Sequence, residues 1–255
     1  MFISTNDAQI YATAFGAKTA PALLAIGGWI GSWELWAEPL SILSQSWRTI
    51  AYDHRGAGAT VAPVESITFE NMVDDVFAVL DAHGIEQCVL AAESAGAVTA
   101  LGAALKQPQR ITGLVIVDGM YFRPTPPNGD PFLLGLQKAY PVTLDRFVEA
   151  CVPEPDSDHI KRWGRQIIDR ASQEAAIALY NLAGAVDLRA DLPKIAQPTL
   201  ILHGAADALV PVQAAQGLAK ALPNAKLVLL PGAGHVPTMT RPAEIAQEIM
   251  NFAPL

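Results

Sequence analysis

The sequence predicts an α/β fold: a mostly parallel central sheet of about eight strands, with helices on both faces and a helical lid. Three observations lead to this prediction. Short apolar runs alternate with helical patterns along most of the chain, as in a parallel sheet with crossover helices. The runs are continuous rather than alternating in polarity, so their strands are buried on both faces. One long interval has helical patterns but no buried strand, and we assign it to the lid.

The strands are assigned to short runs rich in Val, Ile and Leu. The first two flank a turn at Asn6-Asp7 and are predicted to form an N-terminal hairpin. Helical segments separate most of the later runs, so those strands are expected to lie parallel. The predicted strands are Phe2–Ser4, Gln9–Phe15, Ala22–Ile26, Thr49–Tyr52, Cys88–Ala92, Leu114–Val117, Thr199–Leu202 and Leu227–Leu230.

The helices of the core are assigned to the segments between these strands. They are Trp36–Gln45, Phe69–His83, Ala95–Lys106, Val212–Leu222 and Pro242–Phe252. After Leu114–Val117 the alternation stops, and turn-forming residues predict a loop that leaves the sheet; they are Pro124, Pro126, Pro127 and Asn128-Gly129. We therefore predict a core of residues 1–120 and 199–255 and a helical cap of residues 121–198.

The bulk composition narrows the classes of function. A net charge of −8, with no stretch rich in Lys and Arg, argues against nucleic acid as a partner. The apolar runs are far shorter than the ~20 residues that a membrane-spanning helix needs. The first residues, MFISTNDAQI, lack the basic and apolar regions of a signal peptide. We expect a cytoplasmic protein that acts on a small molecule. The sequence is compatible with a homo-oligomer.

Chemistry-bearing residues follow the predicted strands at the point where each strand ends. In an open parallel sheet, ligands bind beyond the carboxyl ends of the strands, so these residues are expected to converge. Ser94, Asp207 and His235 each stand on such a turn. A serine hydroxyl becomes a nucleophile when a base takes its proton and a third group orients that base. Two cysteines, Cys88 and Cys151, have no metal-ligand spacing, and we expect neither a metal nor a cofactor.

Four short stretches resemble the motifs of one known family. VLAAESAGAV is close to the G-x-S-x-G nucleophile turn, with Ala92 in place of the first glycine. YDHRGAGAT, LILHGAADALVP and LPGAGHVP are similar to the glycine-rich, acid-bearing and histidine-bearing loops of the α/β-hydrolase superfamily. The chain order Ser, Asp, His is also that of the superfamily. The sequence most resembles its haloperoxidase, esterase and enol-lactonase group.

The resemblance implies further site residues. It implies that the backbone N–H groups of Trp29 and Ala95 form an oxyanion hole, although Gly27-Gly28 stands where the family usually has His-Gly. It also leaves Asp118 as an alternative acid to Asp207, because some members place the acid after the preceding strand. Arg123 is a candidate partner for a substrate carboxylate. The candidates for the substrate pocket are Gly28, Trp33, Met120, Tyr121, Arg123, Trp163 and Val236.

From these residues we predict a serine hydrolase that cleaves a small, fairly apolar ester or lactone through an acyl-enzyme. Three alternatives stay open at this point. The same residues could hydrolyse a carbon–carbon bond in a diketone-like substrate. The fold also hosts cofactor-free dioxygenases, for which Asp118 would be the decisive acid. Finally, the protein could be a ligand receptor with negligible turnover.

Overall fold

The computed structural model describes residues 1–124 and 129–252, and its centre is an eight-stranded sheet. Along the sheet the strands follow the order β1-β2-β4-β3-β5-β6-β7-β8. The strands are β1 Phe2–Ser4, β2 Gln9–Phe15, β3 Ala22–Ile26, β4 Arg48–Tyr52, β5 Cys88–Glu93, β6 Ile111–Val117, β7 Thr199–Gly204 and β8 Ala225–Leu230. Strand β2 pairs antiparallel with β1 and β4, and all other pairs are parallel. The predicted mostly parallel sheet is confirmed.

Helices cover both faces of this sheet. They are α1 Ala37–Leu43, α2 Phe69–Ala82, α3 Gly96–Lys106, α4 Pro131–Lys138, α5 Tyr140–Cys151, α6 Asp158–Ile168, α7 Gln173–Ala185, α8 Val212–Ala221, α9 Pro237–Thr240 and α10 Pro242–Phe252. Helices α1 and α10 pack on one face, and α2, α3 and α8 pack on the other. Within residues 1–124 and 129–252, no helix is long and apolar enough to cross a membrane.

The central strands are buried on both sides, as their continuous apolar sequences predict. All five residues of β3 are buried, and successive side chains point to opposite faces. Leu24 therefore packs in one apolar cluster with α2 and α3, whereas Leu23 packs in the other with α1 and α10. The central strands are thus packed between two apolar layers.

Helices α4 to α7 lie between β6 and β7 in the chain, and these four helices with the loops that join them are called the cap below. Helix α4 packs on α5 and α7, and α5 packs on α6. Of the predicted loop that leaves the sheet, Pro126, Pro127 and Asn128 lie outside the described residues.

Most predicted element boundaries agree with the structure to within two residues, and two differ by three residues. Strand β6 begins at Ile111, three residues before the predicted start. The apolar pattern misses these residues because Thr112 is exposed and Gly113 carries no apolar side chain. The first predicted helix is divided into a 3₁₀ turn, Trp33–Trp36, followed by α1. The Ser32 hydroxyl accepts a hydrogen bond from the N–H of Glu34 and so starts that turn three residues earlier than predicted.

Candidate active site

Ser94 occupies a sharp turn between β5 and α3. Its φ of +52° lies in the left-handed region, which L-residues with a side chain rarely adopt. The turn is held from both sides, because the Ser94 N–H donates to the Val117 carbonyl at 2.9 Å and the Met120 N–H donates to the Ser94 carbonyl at 3.2 Å. The hydroxyl is thereby presented at the carboxyl edge of the sheet.

The two small residues beside this turn are not equally constrained. A Cβ on Gly96 would collide with the carbonyl oxygen of Gly27, so this position requires glycine. Ala92 lies within β5, fully buried, with its partners Ile26 and Ile116 in the regular parallel register. Its methyl group is accommodated there, which explains why the departure from the motif leaves the turn intact.

Ser94, His235 and Asp207 form a continuous chain of hydrogen bonds. The Ser94 Oγ lies 2.8 Å from His235 Nε2, and His235 Nδ1 lies 2.7 Å from Asp207 Oδ2. The other oxygen of Asp207 accepts the N–H groups of Leu209 and Val210 at 2.8 and 3.0 Å. Burial alone would raise the pKa of Asp207, but the hydrogen bonds from His235 and these N–H groups hold it below its ordinary value. An ionised Asp207 thus faces the imidazole.

Asp118 lies next to this chain but makes no hydrogen bond to His235 among the described residues. Its Oδ1 accepts the Gly204 N–H at 2.8 Å and lies 3.2 Å from His203 Nδ1. Burial, and then the nearby charge of Asp207, raise the pKa of Asp118 well above its ordinary value. The two carboxyl groups have oxygens within 4.8 Å of each other, so the charge of ionised Asp207 disfavours ionisation of Asp118. The geometry favours Asp207 over Asp118 as the acid.

Asp118, His203 and Asp207 are also the one group of potential metal ligands within the described residues, with donor atoms within 4.8 Å of one another. The oxygens of Asp207 already accept hydrogen bonds from His235 and from two backbone N–H groups. A metal ion here would compete with those bonds.

The predicted oxyanion-hole donors are the backbone N–H groups of Trp29 and Ala95, two residues beside Ser94. Neither donates in any backbone hydrogen bond among the described residues, and both residues line a cavity with Ser94. The Gly28 carbonyl accepts a hydrogen bond from the Gly31 N–H at 2.9 Å and lies 3.1 Å from His54 Nε2, while His54 Nδ1 lies 3.0 Å from the Arg55 carbonyl. Because a trans peptide points its C=O and N–H in opposite directions, fixing the Gly28 carbonyl also fixes the direction of the Trp29 N–H.

His54 is therefore a functional candidate that the sequence analysis missed. It follows β4, directly beside β3 in the sheet, and reaches across to the loop that carries Gly28. Asp53 supports the same loop by accepting the Trp33 N–H at 2.8 Å. The signal was present in the sequence, because a polar residue at the end of a neighbouring strand belongs to the same edge.

A cavity of about 580 Å³ opens beside Ser94, under the cap. Its walls are mainly apolar and aromatic, as in most small-molecule sites. Of the predicted pocket residues, Met120, Tyr121 and Arg123 line this cavity. Gly28 and Val236 line a second cavity of about 50 Å³ on the His235 side.

Trp33 and Trp163 are not among the residues that line these cavities. Trp33 lies beside Phe15, with ring centroids 6.1 Å apart, and Trp163 packs against the apolar cluster that contains α1 and α10. The structure does not bring them to Ser94.

The Arg123 guanidinium lies 3.6 Å from the ring centroid of Tyr180, and its Nη1 is 3.5 Å from an oxygen of Asp130. The positive charge of Arg123 is thereby partly balanced by the carboxylate of Asp130.

Glu93 is a buried acid immediately before the nucleophile turn. Its carboxyl accepts the Thr238 hydroxyl at 2.8 Å, and burial raises its pKa to about 7. It borders the smaller cavity together with His235. With a pKa of about 7, this carboxyl group is mostly protonated below neutral pH and ionises as the pH rises through that value.

A family model described as serine aminopeptidase, S33, matches residues 40–239 of the chain. The chain belongs to this family of α/β-hydrolases. It is thus a hydrolase by family, and its eight-stranded sheet is the fold of that superfamily.

Relatives and solved structures agree with this assignment. A protein of Caulobacter vibrioides named "Putative carbamate hydrolase RutD" is 30% identical over 99% of this chain and 97% of its own length. The enol-lactonase of Burkholderia xenovorans superposes with a TM-score of 0.92 at 20% identity and covers 99% of both chains. An esterase of Exiguobacterium antarcticum reaches 0.90 at 21% identity, with 98% of each chain covered. At these identities the two structures show the fold alone.

Proposed function

We propose that this hydrolase cleaves small, fairly apolar esters or lactones through an acyl-enzyme on Ser94. The observation that carries the proposal is the unbroken hydrogen-bond chain from Ser94 through His235 to Asp207, which opens directly into an apolar cavity. His235 takes the proton of the Ser94 hydroxyl as its oxygen attacks the substrate carbonyl carbon. Asp207, ionised, holds the imidazole in the required tautomer and stabilises its positive charge.

The oxyanion that forms is bound by the N–H groups of Trp29 and Ala95. Such preorganised donors contribute roughly 3–4 kcal/mol each to the stability of the transition state. His235 then gives its proton to the leaving alcohol. In the second half of the reaction, His235 takes a proton from water as the water oxygen attacks the acyl carbonyl carbon, and it returns the proton to Ser94 Oγ as the acid product leaves. For a lactone, the leaving alcohol stays attached to the acyl group.

The size and polarity of the large cavity support an apolar ester or lactone as substrate. A volume of about 580 Å³ lies within the range of sites that bind drug-sized ligands, and the side chains of Met120, Phe132 and Phe147 are among its walls. A substrate with an apolar group of several carbons would fill it. Carbamate hydrolysis is the second candidate, because relatives bear that name and the same nucleophile, base and oxyanion donors suit a carbamate carbonyl.

The test is a stopped-flow time course with p-nitrophenyl butyrate and hexanoate, an alkyl-substituted lactone and an N-alkyl carbamate ester, on wild type and Ser94→Ala. We expect a burst and steady turnover of the esters, and a loss of about 10⁴-fold or more in the variant. Turnover that survives in Ser94→Ala contradicts the mechanism. A burst without turnover favours the receptor, and faster carbamate cleavage favours the second candidate.

A further inference from the structure

One short segment of the cap, residues 151–154, hydrogen-bonds to the loop that carries His235. The Cys151 carbonyl accepts the His235 N–H at 2.8 Å. One oxygen of Glu154, Oε1, accepts both the Gly234 N–H at 2.8 Å and the Thr240 hydroxyl at 2.9 Å. The cap therefore holds the backbone of the histidine loop at two successive residues.

The cap and this loop also approach each other too closely for any side chain to fit between them. A Cβ on Gly234 would collide with Pro153 and would lie 2.5 Å from the Cys151 carbonyl oxygen. Cys151 and Val152 are themselves buried. The contact is thus closely packed as well as hydrogen-bonded, and a shift of the 151–154 segment would displace the loop.

The sequence around Glu154 restricts the backbone on both sides of this residue. Pro153 and Pro155 stand on either side, and each proline ring fixes φ. Asp156 follows with a φ of +59°, a left-handed conformation that aspartate tolerates better than most residues. A backbone restricted in this way loses little freedom when Glu154 makes its hydrogen bonds.

The second oxygen of Glu154, Oε2, is buried and has no hydrogen-bond partner among the described residues. A buried unpartnered carboxylate oxygen destabilises a fold. Burial of the side chain alone therefore does not account for a glutamate at position 154. The two hydrogen bonds that Oε1 accepts do account for it. Gly234 and Thr240 enclose His235 in sequence, and His235 must contact both Ser94 and Asp207.

We infer that Glu154 is a positioning residue for the His235 base, which makes this segment of the cap part of the catalytic apparatus. The inference rests on the proposed function, in which His235 activates Ser94. Glu154 does not touch the substrate; it acts on the imidazole through the backbone of Gly234. Loss of its hydrogen bonds would let the imidazole move away from Ser94 Oγ without closing the substrate cavity.

The test compares Glu154→Ala, Glu154→Gln and Glu149→Ala with wild type. Glu149 is an exposed glutamate of the same cap, paired with Lys161, and serves as the matched control. With p-nitrophenyl butyrate we expect Glu154→Ala to lower kcat by about 10- to 100-fold with KM nearly unchanged, because small misplacements of a base have effects of this size. Glu154→Gln keeps an oxygen acceptor and is expected to restore kcat to within about threefold of wild type.

Amide hydrogen exchange supplies a readout that does not depend on activity. In Glu154→Ala, exchange at Gly234 is expected to accelerate, with smaller changes in the central strands. If this variant does not fold, Thr240→Val replaces it, since it removes one of the two donors to Glu154 and is expected to lower kcat in the same direction.

The outcomes separate the two proposals. Wild-type protein without ester turnover, or Ser94→Ala with full turnover, overturns the proposed function. An active wild type, an inactive Ser94→Ala and a Glu154→Ala with wild-type kcat overturn the positioning role alone. Equal losses in Glu154→Gln and Glu154→Ala would also overturn it, because the acceptor oxygen would then not matter.

Discussion

Replacing Glu93 by glutamine is expected to change the pH dependence of stability by a calculable amount. Burial raises the pKa of this carboxyl from its ordinary value of 4.5 to about 7. Between those pH values the folded protein keeps a proton that the unfolded chain releases. The free energy of unfolding of the wild type therefore falls as the pH rises through this window.

The size of the effect follows from the two pKa values. At about 1.4 kcal/mol for each pKa unit, the wild type loses up to about 3 kcal/mol between pH 4.5 and pH 7 relative to a protein whose side chain stays neutral. Glutamine is neutral throughout, is nearly isosteric with glutamate, and can accept the same hydrogen bond from Thr238. Asp118 and Asp207 are present in both proteins, but the charge of Glu93 interacts with both carboxyl groups, so the measured difference includes that interaction.

The measurement is urea unfolding of wild type and Glu93→Gln at pH 5, 6, 7 and 8.5, with the free energy of unfolding extrapolated to water. The variant is expected to gain on the wild type steadily with pH, by up to about 3 kcal/mol at pH 8.5. Glu149→Gln, at an exposed position, is the control and should show no such trend. A difference between Glu93→Gln and wild type that does not change with pH would refute the reasoning.

Two further predictions concern groups that surround the triad, each measured with p-nitrophenyl butyrate. Asp207→Asn is expected to lower kcat by about 10⁴-fold through the wrong imidazole tautomer. Asp118→Asn replaces a carboxyl group that makes no hydrogen bond to His235 among the described residues, and it should cost less than about tenfold. Equal losses of kcat in the two variants would contradict the assignment of Asp207, rather than Asp118, as the acid that orients His235. His54→Phe removes the imidazole that contacts the Gly28 carbonyl, so the Trp29 N–H is expected to change direction and kcat to fall by about tenfold or more. An unchanged kcat would show that His54 does not position this N–H group.

Most of the fold could be predicted from sequence because the determining signals are local. Continuous apolar runs such as Ala22–Ile26 are buried at every position, so their pattern leaves little choice of structure. The residues at the strand ends could also be located, because parallel strands bring their carboxyl ends to one edge. Ser94, His235 and Asp207 lie in hydrogen-bond contact for that reason.

The contributions of the cap and of neighbouring loops could not be predicted in the same way. Glu154 is 80 residues from Gly234 in the chain, and no periodicity records which loop a cap residue meets. Trp33 follows the same strand as Trp29, yet its N–H bonds to Asp53 while its ring turns toward Phe15. The choice between Asp118 and Asp207 likewise depends on which carboxyl reaches the imidazole, a distance of a few ångströms that no motif encodes.

The contact between the 151–154 segment and the histidine loop limits how freely this protein could exchange its cap. The cap is one continuous insertion between β6 and β7, which suggests a part that could be transplanted whole to alter substrate preference. A transplanted cap that lacked the carboxylate of Glu154 and the carbonyl of Cys151 would leave the N–H groups of Gly234 and His235 without partners. Chimeras designed for new substrates should therefore keep residues 151–154 together with their own core and vary the helices on either side.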